Sequence, residues 1–370
     1  MSGILQSLLA SIGGASGPWL YAWGYNGYGQ LGDNSAVNKS SPIQIGDSTD
    51  WSKTAAGIRI SVATKTDGTL WSWGRNDFGQ LGLGNTVNRS SPVQVGALTN
   101  WSKLSTSGQF QRNCVAIKTD GTLWSWGRNN KGQLGQNVVY TVERSSPVQV
   151  GALTTWTEVS SGGQSCFAIK TDGTLWAWGY NGNGELGTGT TISRSSPVQI
   201  GALTDWSKVS AGYSHCAAIK TDGTLWTWGF NAQGQLGDNS TVAKSSPVQV
   251  GALTNWSKVS TGGGSTMAIK TDGTLWAWGR NNGGQIGDGT VVAKSSPVQV
   301  GSLATWSTPI AGYRFSGAIK TDKTLWSWGN NTYGQLGDGT KVDRSSPIQI
   351  GFGTWSSVSA GQYQTLAIED

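Results

Sequence analysis

The sequence predicts an all-β chain, a seven-bladed β-propeller with four strands to a blade. Three observations predict it: a phrase repeated seven times, four strand-like runs within each copy, and one copy divided between the two ends of the chain. The phrase is "KTDGTLWSWGRNDFGQLG" at 65–82, written again with small edits from Lys118, Lys170, Lys220, Lys270 and Lys320. The second Trp of each W-x-W-G (Y-A-W-G in the first copy) falls at 23, 73, 126, 178, 228, 278 and 328, so the copies lie 50 to 53 residues apart. Another Trp recurs at 51, 101, 156, 206, 256, 306 and 355, and three per copy accounts for all 21 in the chain. Strands recurring at such a period mark a radial repeat.

Within one copy, "SVATK" (61–65) alternates as a strand does, and "TDGT" joins it to "LWSWG" (70–74). Asp-Gly between β-prone runs is a strong hairpin signal. "SPVQVG" (91–96) is a third run and "WSKLS" (101–105) a fourth. Pro92 suits a strand's first residue, where no ladder N–H is needed. Trp71 and Trp73 are two apart and point to the same sheet face, which makes them packing groups between blades. The Asn three places after each second Trp (26, 76, 129, 181, 231, 281, 331) is expected to bond its own loop's backbone. Length is added in two places only, within "SGQFQRNCVAIK" and "GQNVVYTVERSSP". Both read as loops on a fixed scaffold.

The chain ends "AGQYQTLAIED", matching the strand before a TDGT turn, and begins after a tail with "GPWLYAWG", matching the strand after it. Pairing 19–24 with 364–368 closes the ring and leaves no open edge. Residues 18–370 are therefore expected to be one domain. Residues 1–17, "MSGILQSLLASIGGASG", stand apart, with Ile4, Leu5, Leu8, Leu9 and Ile12 forming an apolar helical stripe before a Gly/Ser link. The stretch lacks the basic start of a signal peptide and is too short to span a membrane. It reads as a docking peptide, against the alternative of a disordered tail.

Composition narrows the chemistry. Net charge is +6, yet charged residues make up only 12% of the chain, which does not suit specific nucleic-acid binding. Cys114, Cys166 and Cys216 fill a slot where other copies carry Ser or Thr, and neither Cys-x-x-Cys spacing nor a His cluster exists. No disulfide, metal or cofactor is expected. His215 is the only histidine. Enzymatic chemistry has no foothold among paired carboxylates or nucleophile motifs.

The repeated "WGxNxxGQLGxGxxxxxxSPVQV" and "VSAGYSHCAAIKTDGTLWTWG" resemble the regulator of chromosome condensation repeat family. The resemblance spans nearly the whole chain and implies a seven-bladed propeller. His215 falls where that family often carries a histidine, which implies a structural hydrogen bond. The family's functions are diverse, so the fold does not settle this one's. Nucleotide exchange on a small GTPase would need a protruding wedge, and the insertions here are too short. Ultraviolet sensing would need Trp in the Gly-x-x-x-x loops, where none stands. What remains is a non-enzymatic interaction module. In style it is similar to propeller proteins among the virion components of tailed bacteriophages, with attachment or adhesion as its task. A bacterial scaffold or regulatory propeller, in the cytoplasm or at the cell surface, is the alternative.

Recognition is expected where the copies differ. The loops after W-G and before the "SVATK"-type strand vary, and both fall at one end of the ring. Tyr25, Tyr28, Arg75, Phe78, Arg128, Tyr180, Phe230 and Arg280 come from the first set. Tyr213, Tyr313, Arg314 and Phe315 come from the second. Such residues suit a protein or glycan surface. The same end should carry a basic collar of Lys39, Arg89, Arg144, Arg194, Lys244, Lys294 and Arg344, while the Lys of each Lys-Thr-Asp is offset by the Asp of its turn. Expected partners are other virion proteins through the N-terminal peptide, and a host-surface protein or glycan at the loop face.

Overall fold

The computed structural model describes residues 17–107, 112–138 and 141–370. These form seven antiparallel sheets of four strands each. Blade 1 runs through Trp51–Ala56, Ile60–Lys65, Leu70–Gly74 and Arg89–Gln94. Its first strand is innermost: Ala56 and its counterparts Thr106, Ser161, Ala211, Thr261, Ala311 and Ala360 surround one central funnel. Blades 2 to 6 repeat the order over 101–149, 156–199, 206–249, 256–299 and 306–349. Blade 7 takes its inner strands, Trp355–Ala360 and Gln364–Glu369, from the C-terminus. Its outer strands, Trp19–Gly24 and Lys39–Gln44, come from the N-terminus. The junction is in register from Trp19 opposite Glu369 to Gly24 opposite Gln364. The ring is closed.

Each hairpin turn is held by its own side chains. Asp67 accepts from the Thr69 N–H and hydroxyl at 2.9 and 2.7 Å, and Thr69 accepts from the Trp71 indole at 2.9 Å. Among the described residues no Lys of a Lys-Thr-Asp forms a direct ion pair with the Asp of its own turn, although the two charges act on each other, as those of Lys118 and Asp120 do. Lys65 instead bridges Asp50 at 3.1 Å and covers Trp51 and Trp71. Lys118, Lys170, Lys270 and Lys320 sit 3.6 to 3.8 Å from the ring centres of Trp124, Trp176, Trp276 and Trp326. The turn Asp is consumed by its Thr, and the cation is left to the indoles.

The core is divided into seven clusters, one at each seam between blades. Between blades 3 and 4, for example, Phe167, Ile169 and Leu186 meet Trp206 and Trp228. The second Trp of each W-x-W is fully buried in such a cluster, removing about 150–250 Å² from water, or about 4–6 kcal/mol of transfer free energy. Six of these seven indoles also donate across the seam to the carbonyl of residue 80, 133, 185, 235, 285 or 335 in the preceding blade, at 2.8 to 3.0 Å. Trp73 is the exception. Its N–H has no partner, and the Gln30 carbonyl accepts from the Ser61 hydroxyl at 2.6 Å; the equivalent carbonyls of Gln235, Gln285 and Gln335 accept from both the hydroxyl and the indole, so nothing in the structure explains the exception. Blade 7 departs in another way. Tyr21 takes the ring position of the first Trp, edge-on to Trp355 at 5.5 Å, and Trp19 lies two residues outside it.

Among the described residues the small slot ahead of the hairpin is a donor position as well, except at Cys216, whose thiol turns to the Ala217 carbonyl of its own strand. Thr266, Ser316 and Thr365 donate to a seam carbonyl at 2.8 to 3.0 Å, and the Cys114 and Cys166 thiols do the same at 3.4 Å. All three cysteines are free and buried. His215 Nε2 bonds Thr266 Oγ1 at 2.9 Å, and burial pushes its pKa down to about 4, so it is neutral at pH 7. No group of three potential metal ligands occurs among the described residues.

Candidate recognition face

Seven repeated hydrogen bonds define one end of the ring. The residue after each W-G donates its N–H to the carbonyl of the residue preceding the second strand, as Arg75 does to Arg59 at 2.8 Å. Tyr25, Arg128, Tyr180, Phe230, Arg280 and Asn330 do the same to 363, 112, 164, 214, 264 and 314. The two variable loop sets therefore meet backbone to backbone, as expected from their places in the repeat.

The loop after W-G is built around two amides. Asn76 accepts from the Leu81 N–H at 2.9 Å and donates to the carbonyls of Asn85 and Val87, which folds the segment back on itself. Gln80 accepts from the Phe78 N–H at 2.8 Å and so presents that side chain toward the next blade. The same Gln (or Glu185) holds Tyr28, Lys131, Asn183, Gln233, Gly283 and Tyr333. Consequently each seam carries a triad: one residue from the earlier blade's loop and two from the later blade.

The triads differ from seam to seam, and their order sets the character of the face. Between blades 7 and 1, Arg59 and Arg75 lie 4.8 and 4.6 Å from the centre of the Tyr28 ring, and Arg59 donates to the Tyr28 hydroxyl at 3.0 Å. Between blades 1 and 2, Arg112 and Arg128 lie 5.0 and 4.6 Å from the Phe78 ring. Asp77 links the two groups, bridging Arg75 at 2.8 Å and Arg112 at 2.7 Å. Burial lowers the pKa of Arg112; Asp77 raises it, and Arg75, Arg59 and Arg128 lower it again. Between blades 6 and 7 the triad is all tyrosine, with Tyr333 5.0 Å from both Tyr25 and Tyr363. Tyr313 continues the belt, 5.9 Å from Tyr363 and within 6.0 Å of Arg280 and Arg314.

Clefts lie along the remaining seams, where Lys131 stands 5.4 Å from the centre of the Tyr180 ring. Lys131, Gln164 and Tyr180 meet Asn183, Ser214 and Phe230 around a cleft of about 360 Å³. A second cleft of about 420 Å³ lies beyond Tyr213, between Phe230 and Tyr313, with Gln233, Arg280 and Asn282 in its wall. Glycine makes room for these walls: a Cβ on Gly163 or Gly263 would fall 2.5 or 2.0 Å from the ring of Tyr213 or Tyr313.

Of the residues expected at this face, Phe315 is misplaced. It is only 2% exposed, because the strand begins at that position and alternation turns its ring inward. Arg59, Asp77, Arg112, Lys131, Tyr333 and Tyr363 belong to the face without having been singled out. Each stood in a variable loop, but its partner is on the neighbouring blade. The collar lies at the same end, since each member pairs with the Gly of W-G, as Arg89 does with Gly74. Four of its seven members are held by their own blades, in ion pairs from Lys39, Lys244, Lys294 and Arg344 to Asp33, Asp238, Asp288 and Asp338. Arg144 bonds Gln136. Arg89 and Arg194 form no ion pair among the described residues, their blades having Leu83 and Thr188 in place of that Asp. Ile4, Leu5, Leu8, Leu9 and Ile12 lie outside the described residues.

The closed ring of seven four-stranded sheets defines a repeat β-propeller. Residues 111–370 match the RCC1-like domain, and residues 20–64 and 67–110 match the regulator of chromosome condensation (RCC1) repeat. The chain belongs to this family. It is similar over 77 residues, at 35% identity, to the probable E3 ubiquitin-protein ligase HERC3 of Homo sapiens, covering 20% of this chain and 7% of that protein. Over 83 residues it is 35% identical to protein RCC2 of Mus musculus, covering 22% of this chain and 16% of that one. These matches span a small part of the relatives' own length. Two solved structures share the fold over nearly all of both chains. Human WBSCR16 has a TM-score of 0.84 at 20% identity, covering 96% of this chain and 99% of that one. Prp20p of Saccharomyces cerevisiae has 0.84 at 20%, covering 96% and 92%. Among the described residues, no helix is long and apolar enough to cross a membrane.

Proposed function

We propose that this chain is a non-enzymatic recognition propeller. Its loop face holds a macromolecular partner, and in the fuller reading it serves a tailed-bacteriophage virion in attachment. The observation that carries the reading is the contrast between the two ends. One end repeats a Thr-Asp-Gly-Thr turn whose side chains are spent on themselves. At the other end the seam triads differ at every seam, though their backbone is the same. A scaffold that repeats everywhere except in side chains on one face has been specialised on that face. The same geometry accommodates a partner protein, and Prp20p, which shares the fold, binds Gsp1p and histones. The virion reading adds the apolar peptide at 4–12 as the docking element and leaves the propeller face outward. Its support is the near-identity of the tandem copies and the sparse charge.

The test uses assembled particles. Particles carrying Arg75→Ala with Phe78→Ala should adsorb to host cells less well than those carrying Thr224→Ala in an opposite-end turn. Particles lacking residues 2–15 of the chain should lose the propeller altogether. Equal adsorption by both substituted particles, or a chain absent from purified particles, overturns the reading.

A further inference from the structure

We propose that the outer groove between blades 1 and 2 binds a small carboxylic acid with an apolar body. The carboxylate would sit on Arg89, and the body would lie against Leu83, Val93, Pro147 and Trp124. The groove shares no lining residue with the seam triads. The inference goes beyond the recognition reading and does not rest on it.

The repeat itself shows what blade 1 lacks. In four blades the cation that opens the outer strand is paired with an Asp six residues before it. Lys39 meets Asp33 at 3.3 Å, Lys244 meets Asp238 at 3.8 Å, Lys294 meets Asp288 at 3.4 Å and Arg344 meets Asp338 at 3.0 Å. Blade 1 keeps the cation as Arg89 and puts Leu83 where the carboxylate stands elsewhere. The Arg89 guanidinium has neither an ion pair nor a hydrogen bond among the described residues. Leu83 packs against the cluster that holds Val95, Trp101 and Trp124. Blade 3 also loses the Asp, but to Thr188, which is bonded to Thr190 at 3.2 Å. Arg144 of blade 2 has Gln136. Among the seven cations, Arg89 alone combines a missing partner with an apolar neighbour.

Both residues line one groove of about 440 Å³, a volume suited to a small molecule. Its walls are Leu83, Val93 and Leu98 from blade 1 and Trp101, Trp124 and Pro147 from blade 2. No Asp or Glu is among its lining residues. Lys118, 3.6 Å from the centre of the Trp124 ring, adds a second positive charge to that wall. A guanidinium beside apolar surface offers a carboxylate two parallel N–H groups, and exclusion of water strengthens the pair. The ligand therefore returns the one charge that the Leu83 exchange removed, and covers the apolar area that it added. Other chemistries fit less well. A phosphate dianion would meet a single guanidinium. A sugar would set hydroxyls against Leu83, Val93 and Pro147 without partners. A divalent cation would find no carboxylate to hold it.

The test is titration calorimetry on the purified full-length protein with 4-phenylbutyrate. Binding at about millimolar or tighter is expected, weakening as salt rises. The primary amide of the same acid, acetate and phenyl phosphate should each bind at least about tenfold more weakly. Arg89→Gln should weaken the acid about tenfold or more, while Arg194→Gln, the same charge change at another blade, should not. Leu83→Asp is the decisive variant, because it restores the ion pair of the other blades and should abolish acid binding. Its melting temperature, unchanged or raised, shows that the fold survives. No binding of 4-phenylbutyrate, equal binding of the amide, or normal binding by folded Leu83→Asp protein overturns the proposal. So does tighter binding of phenyl phosphate, or of a short peptide ending in a free phenylalanine carboxylate, which would make the occupant a partner's chain end.

Discussion

Glu185 stands where the other six copies place Gln, at 30, 80, 133, 235, 285 and 335. Its side chain is 3% exposed, and burial raises its pKa above the ordinary carboxyl value, though hydrogen bonds from Asn183 act to lower it. A carboxyl whose pKa is higher folded than unfolded costs stability wherever it is ionised. That cost is complete above the folded pKa and vanishes below the unfolded one. Glu185→Gln should therefore stabilise the protein at neutral pH, by about 0.5–2 kcal/mol as repeat-consensus changes do. The gain should shrink as pH falls through the raised pKa. Denaturant melts of both proteins at pH 7 and in mild acid measure it; a gain that does not change with pH means the effect is not ionisation. The Gln role was legible only in part, because the residue recurs visibly while its bond to the residue at the loop tip is a contact two positions back.

At the scale of the element, the seam is the unit, and its Trp anchors divide into two kinds. Trp278 donates to the Gln235 carbonyl at 3.0 Å, whereas Trp73 is equally buried and donates to nothing. Replacing either by Phe leaves a similar void, so the difference between them isolates the bond. Trp278→Phe should cost about 0.5–1.5 kcal/mol more than Trp73→Phe in a denaturant melt; equal costs mean the seam bond contributes nothing net. Gly237 makes the approach possible. It has φ +70°, and a Cβ there would stand 2.6 Å from the Trp278 indole nitrogen. Gly237→Ala should thus destabilise by more than 1 kcal/mol, roughly what backbone incompatibility alone exceeds, with the crowded indole adding to it. The repeat, the strands and the shared end of the variable loops could be read from the sequence, because each follows from periods of 50 and of 2 along one chain. The seam triads could not. Tyr28 meets Arg59 and Arg75 thirty and more residues away, and a repeat alignment sets Tyr28 beside Phe78 rather than beside them. Arg112 is further obscured by the inserted residues before it, and Phe315 reads as a loop residue because the strand's first position is invisible in the letters.

For the whole molecule, closure is the feature on which the rest depends. Seven seam clusters exist only if seven seams exist, and the seventh blade is assembled from both ends of the chain. Strand 19–24 pairs with 364–369 on one side and 39–44 on the other, and it places Trp23 in the seam with blade 6. Leu20 and Ala22 face the other way, into the seam with blade 1. Removing residues 18–24 therefore strips groups from two clusters and leaves the Lys39–Gln44 strand with no neighbour. It also opens the Gln364–Glu369 strand as a free edge, which natural sheets avoid. Deleting a surface segment of that length would shift a melting midpoint modestly and keep one transition. Deleting this one should broaden the transition or split it, because blades far from the gap keep their nearest-neighbour seams while blades 6, 7 and 1 lose theirs. Hydrogen exchange should show the same division, with protection lost in 355–369 and 51–65 and kept in 206–249. A truncated protein that melts at the original midpoint in a single transition, with uniform protection, would mean that the ring is held by its seams alone and needs no closing strand.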